Sequence, residues 1–139
     1  MPTDDCVVEY EKFKLQNSSG GPKRAYLIFR IKDEKIQIAE QGPAEASWDD
    51  FVNVLRANPK DGAYGLYDFK AETGDGRKLI KIIFVAWAPD NLPVKAKMVY
   101  ASASQPFKQA LGSGMAVVIQ ASDIADLDYD TVQKLVVKA

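Results

Sequence analysis

The sequence contains no histidine. That removes the side chain that most often serves as general base or metal ligand near neutral pH, and with it most serine–histidine and cysteine–histidine mechanisms. Cysteine is nearly absent as well. Cys6 is alone, so no internal disulfide can form, which fits a reducing compartment. The phosphate-binding patterns GxxxxGK[ST] and GxGxxG are missing, and so is CxxC. Acidic residues are scattered, and nothing in their spacing pairs two of them as acid and base. No catalytic residue, no metal ligand set and no cofactor is expected, and the chain is expected not to be an enzyme.

Long apolar runs are lacking too. The longest, Leu79 to Trp87, is interrupted by Lys81 and falls well short of the ~20 residues a membrane span needs. The opening Met1-Pro2-Thr3-Asp4-Asp5 has no basic region followed by an apolar stretch, so no secretory leader is expected and the protein is expected in the cytoplasm. Charge of one sign does not dominate: 18 basic residues face 19 acidic ones, for a net charge of −1. Wholesale nucleic-acid binding is therefore not expected, although a local basic patch stays open.

What remains is material for one ordinary domain. The 139 residues are 47% hydrophobic and 27% charged, and a single domain over 1–139 is expected. A chain of this length hides roughly two-thirds of the surface it exposes when unfolded, so a core forms without metals or disulfides.

Periodicity divides the chain. Cys6, Tyr10 and Phe13 recur at helical spacing behind Thr3, a potential N-cap, with Asp4 and Asp5 suiting the positive end of the helix dipole. The stretch Asn17-Ser18-Ser19-Gly20-Gly21-Pro22 is expected to end that helix in a loop. Ala25 to Ile31 reads as a buried strand, Lys32-Asp33-Glu34 as a turn, and Lys35 to Glu40 as a half-exposed strand ended by Gly42-Pro43. Ser47 can cap a helix with Trp48, Phe51, Val52 and Leu55 on one face, stopped by Asn58-Pro59. Tyr64 to Phe69 and Leu79 to Trp87 form a second hairpin, and the second of these, nearly continuous in apolar character, is the expected central strand. A strand over Ala116 to Gln120 and a closing helix over Asp128 to Lys138, with Val132, Leu135 and Val136 inward, complete the order. The strand after the long helix is expected to cross over in parallel. The sum is an α+β fold, a mixed five-stranded sheet flanked by helices on both faces in three α/β/α layers.

The segment from Pro93 to about residue 111 is the most informative. Pro93 sits in the first turn, where its missing N–H costs nothing. Ala96, Val99, Tyr100, Ala103, Phe107, Ala110 and Leu111 fall on one side as a core stripe. Opposite lie Lys95, Met98, Ser102, Gln105 and Gln109, flanked by Lys97 and Lys108. Methionine suits contact surfaces because it is flexible and polarizable, and lysines around it would steer an acidic partner. Pro106 removes the hydrogen bond to the carbonyl of Ser102, so a bend is expected there.

At Trp87 to Ser102, WAPDNLPVKAKMVYAS, the sequence closely resembles the actin-depolymerising factor/cofilin family, whose pattern is W-x-P-[DE]-x-x-x-[VIL]-[KR]-x-[KR]-M-x-Y-[AST]-S. The likeness extends more loosely to DDCVVEYEKFKL, RAYLIFRI, AYGLYDFKAETGDGRKLIKIIF and VIQASDIADLDYDTV, and so covers essentially the whole chain. The resemblance implies an ADF-homology, gelsolin-like fold and a monomer that binds actin, monomeric and filamentous, and promotes disassembly. Lys95, Lys97 and Met98 stand where the family's long helix meets actin. Ser102 and Gln105 fall in that contact region, and Lys108 matches the first of a basic run. A second surface, used only on filaments, is implied at Arg77, Lys78, Lys81, Lys134 and Lys138. Alternatives are an actin-binding relative without severing activity, as coactosin-like proteins are, or a phosphoinositide-binding module using Lys95, Lys97 and Lys108.

Departures from the pattern accompany it. Family members usually carry a phosphorylated serine near the start; here the chain reads Met1-Pro2-Thr3, leaving Thr3 as the only candidate phosphosite ahead of the first helix. After Ser102 the family reads S-K-[DE]-x-[ILV]-[KR]-[KR], whereas this chain reads Ala103-Ser104-Gln105-Pro106-Phe107-Lys108-Gln109. Leu79 and Leu135 replace residues that are often basic.

Overall fold

Two antiparallel hairpins and one parallel strand build the sheet. The computed structural model describes residues 4–19, 23–57 and 60–138. The first helix, α1, covers Asp4–Ser19, and the first hairpin pairs β1 (Arg24–Lys32) with β2 (Lys35–Pro43). Asp33 and Glu34 link them with φ of 52° and 63°, the left-handed pair that a two-residue hairpin turn requires. Then come α2 (Trp48–Leu55), β3 (Ala63–Glu72) and β4 (Lys78–Trp87). The long helix α3 (Val94–Leu111) crosses over to β5 (Met115–Ala121), and a 3-10 turn (Ile124–Leu127) leads into α4 (Tyr129–Lys138). Strand order is β2-β1-β3-β4-β5, antiparallel except for the parallel β4–β5 pair.

Alternation along the strands sorts side chains into two cores. Leu27, Phe29, Tyr64, Leu66 and Phe84 face α1 and α3, meeting Cys6, Tyr10, Phe13, Tyr100 and Phe107. Ile28, Phe69, Ile83 and Val85 face α2 and α4, meeting Trp48, Phe51, Val132 and Val136. Three layers result, as the periodicity predicts. At Gly65 of β3 a Cβ would stand 2.5 Å from the Phe51 ring, so glycine lets α2 lie directly on the sheet backbone. Helix α2 starts with a capping box: Ser47 Oγ accepts from Asp50 N–H at 3.1 Å, and Asp50 accepts from Ser47 N–H at 2.9 Å.

Several expectations shift. The central strand is β3, not β4. A continuous apolar run reports burial on both faces, which every interior strand has, and so does not rank strands by position. Helix α1 continues through Ser19, past the expected break at Asn17. Its last turn is tied down by Gln16, whose buried side-chain amide donates to the Arg24 carbonyl at 2.8 Å and to Asp68 at 3.0 Å, while its oxygen accepts from Arg24 N–H at 2.8 Å. In α4, Val132 and Val136 are buried but Leu135 is 44% exposed, because one step along a helix turns about 100° away from the face they set. In α3 the buried stripe is Tyr100, Ser104, Phe107 and Leu111; Val99 and Ala110 are exposed at its margin. The helix runs unbroken through Pro106. Thr3, both as cap and as phosphosite, the Gly20-Gly21-Pro22 part of the first loop and the Asn58-Pro59 stop lie outside the described residues.

Candidate protein-binding face on the third helix

The start of α3 breaks a local rule. Pro93 is the N-cap residue and supplies no side-chain hydrogen bond, and the first turn holds no acidic residue. Lys95 and Lys97 stand there instead, against the positive end of the helix dipole, an arrangement that costs a few tenths of a kcal/mol to ~1 kcal/mol. Local choices that oppose stability concentrate at functional positions. The same turn exposes apolar surface: Val94 is 73% and Met98 67% exposed. One turn apart, these two side chains share a face. Ser102, Gln105 and Gln109 continue it, all exposed, and Lys95 borders it. The Ser102 hydroxyl donates to the Val99 carbonyl at 3.2 Å.

Lys97 and Lys108 lie on the flank of α3, both half-buried. Lys108 Nζ sits 5.9 Å from the centre of the Phe84 ring, so this cation leans toward the sheet rather than outward with Met98. The structure thus brings Lys95, Met98, Ser102 and Gln105 together on one outward face and sets Lys97 and Lys108 beside it. Val94, which sequence reading missed, belongs to the face; its signal was the four-residue spacing to Met98.

Tyr100 fixes the helix beneath that face. Its hydroxyl accepts from Ile31 N–H at 3.0 Å and donates to Asp61 at 2.8 Å, and the Tyr64 hydroxyl donates to the Tyr100 carbonyl. Burial, and after it the Asp61 contact, pushes the Tyr100 phenol above its ordinary value. Tyr100→Phe orphans the Ile31 N–H and the Asp61 acceptor together, each costly where water is excluded. The expected loss is about 1–3 kcal/mol in urea unfolding, with the far-ultraviolet spectrum unchanged.

The second implied surface lies across the sheet. Lys81 follows the register of Leu79 and Ile83 and points to the α4 layer, where Lys134 and Lys138 are exposed one turn apart. Cross-strand to Lys81 is Phe69, on which Tyr129 stacks at 5.3 Å, so the strand and the helix meet there. Arg77 is largely exposed at the hairpin tip, its Nε 3.2 Å from Asp75, and Lys78 stands opposite Glu72. Leu79, expected to replace a surface charge, is half-buried against the core; Leu135 is the exposed one.

Among the described residues no group of three or more His, Cys, Asp or Glu could hold a metal, and no helix is long and apolar enough to cross a membrane. Residues 2–136 match the family described as cofilin/tropomyosin-type actin-binding protein. The chain belongs to the cofilin/actin-depolymerising factor family. It is 35% identical to the cofilin of Mycosarcoma maydis, covering 94% of this chain and 88% of that protein. Identity to actin-depolymerizing factor 12 of Arabidopsis thaliana is 32%, covering 94% and 89%. The crystal structure of Streptomyces griseoflavus cofilin superposes with a TM-score of 0.84 at 30% identity, covering all of this chain and 98% of that one. The exposed α3 face and the β4–α4 surface occupy different outer layers of the fold.

Proposed function

We propose that this chain binds actin through the exposed face of α3, both on monomers and on filament sides, and promotes filament disassembly. The observation that carries the reading is the pair Val94 and Met98, exposed together beside Lys95 at a helix start with no acidic residue and no side-chain cap. Exposed apolar side chains ringed by one sign of charge suit an acidic partner with an apolar cleft: the apolar pair supplies burial and the lysines supply steering. The α4-side lysines give a second contact, used when two actin subunits lie side by side. Binding that favours a twisted filament state shifts the filament toward that state and loosens its subunit contacts. The protein acts as a cytoplasmic monomer by binding energy, without catalysis. Fluorescence microscopy of labelled filaments during titration tests this, with faster shortening as the expected result and unchanged filaments as the opposing one.

Severing is expected to be weaker than disassembly by monomer binding, because it needs both surfaces at once. Leu135 puts an exposed apolar side chain among the α4 lysines. Leu135→Arg adds a surface ion pair worth about 0.2–1 kcal/mol. Breaks per filament length are expected to rise several-fold in that variant. Leu79→Arg is the poorer test, since Leu79 packs on the core.

Binding is also expected to be flat between pH 6 and 8 on the side of this protein. With no histidine, the displaced groups all move away from neutrality. Against its own burial, hydrogen bonds from Lys12 and Arg24 hold Glu9 below the carboxylate range, so its contribution to stability is complete above that range and fades only as pH falls through it. Burial pushes Tyr10 and Tyr67 up to about 12, so their contribution is intact below pH ~10 and is lost as pH rises further. Affinity for an actin whose own titration is controlled should change less than twofold between pH 6 and 8.

The lysines Lys95, Lys97 and Lys108 also suit anionic phosphoinositide headgroups. Sedimentation with vesicles containing phosphatidylinositol 4,5-bisphosphate separates the readings: Met98→Ala should reduce actin binding and leave vesicle binding in place.

A further inference from the structure

We propose that the cleft between α3 and β5 is a binding site for a compact, neutral, mostly apolar ligand with one hydrogen-bonding group, the chemistry of a phenol or an indole. The cleft has a volume of about 300 Å³, at the lower end of the range for small-molecule sites. Ala86, Ala101 and Ala121 line it with Tyr100, and Gln120 stands at its edge. None of its lining residues carries a charge. An ion entering would give up water without gaining a counter-charge from those walls, so a neutral molecule is favoured.

A second observation selects the hydrogen-bonding group. Ser104 lines the cleft, is 6% exposed, and its Oγ has no hydrogen-bond partner. A serine inside a helix commonly turns its hydroxyl onto the carbonyl four residues earlier. Here that carbonyl belongs to Tyr100 and already accepts from the Tyr64 hydroxyl. The Ser104 hydroxyl is left over in a buried place, where polar groups otherwise find partners. A ligand hydroxyl or ring N–H entering the cleft supplies the missing partner. Small side chains at positions 86 and 101 keep the space open for it.

Nuclear magnetic resonance titration of the full chain with phenol and with indole, using benzoate as the charged counterpart, tests the proposal. Expected are saturable shifts confined to the amides around Ala101, Ser104, Gln120 and Ser122, with a dissociation constant of about 1 mM for so small a molecule. Benzoate should bind at least tenfold more weakly. Ala101→Leu, at an exposed position whose larger side chain fills the cleft, should remove phenol binding while the rest of the spectrum stays in place. Ser104→Ala should weaken phenol at least threefold. A cleft that holds only water, with no shifts at 20-fold this concentration (~20 mM) of phenol, overturns the proposal. So do shifts scattered over the surface, benzoate binding as well as phenol, or undiminished phenol affinity in Ala101→Leu.

Discussion

Replacing Lys95 and Lys97 together by glutamate is expected to weaken binding to monomeric actin about a hundredfold while leaving the fold intact. The two cations stand in the first turn of α3, where they already oppose the helix dipole. Glutamates there would suit the dipole, so the variant should be at least as stable as the parent. Against an acidic partner the same exchange turns two attractions into two repulsions. Charge reversals at interfaces commonly cost a few kcal/mol, and ~2.7 kcal/mol is a factor of a hundred. Stability and binding are thus expected to move in opposite directions, which separates a contact role from a structural one. Unchanged affinity in the double variant, measured by calorimetry, removes these lysines from the site.

The second large effect concerns the apolar pair. Val94 and Met98 are 73% and 67% exposed in the free protein, so truncating them removes little from its own core. Burying such side chains in a partner's cleft is worth roughly 1.5–3 kcal/mol each when complete. Val94→Ala with Met98→Ala is therefore expected to lower affinity about 30- to 100-fold through faster dissociation, with thermal stability unchanged. Combined with the lysine reversals, the losses should be less than additive, since both sets act on one docking event. A pair of alanines that binds as well as the parent shows that the partner touches another face.

Much of this arrangement could be read from the sequence because the period of the apolar pattern is different for each kind of element. Ser47 ahead of Trp48 and Phe51, the apolar runs of β1 and β4, the alternation of β2, and the helical spacing of Tyr100 and Phe107 each point to one local structure. The family motif from Trp87 to Ser102 then pointed to the docking helix. What stayed hidden depends on tertiary contacts. Nothing local marks Gln16 and Asp68 as a buried pair joining α1 to β3, since both residue types are ordinarily solvent-facing. Leu135 looks like a core residue by type, yet it turns outward from the face that Val132 and Val136 set. The central place of β3 follows from how two hairpins share an edge, which no apolar run encodes. Ser104 appears on paper as one more polar helix residue, and only packing makes it a buried hydroxyl without a partner.

The central claim is that the outward face of α3 meets actin, and hydrogen exchange on the complex with monomeric actin tests it most directly. The account predicts slowed exchange in the first turns of α3, from about Val94 to Ser102, with the α2 and β2 amides unchanged. Slowed exchange confined to α2 and β2, with α3 exchanging as in the free protein, would contradict it.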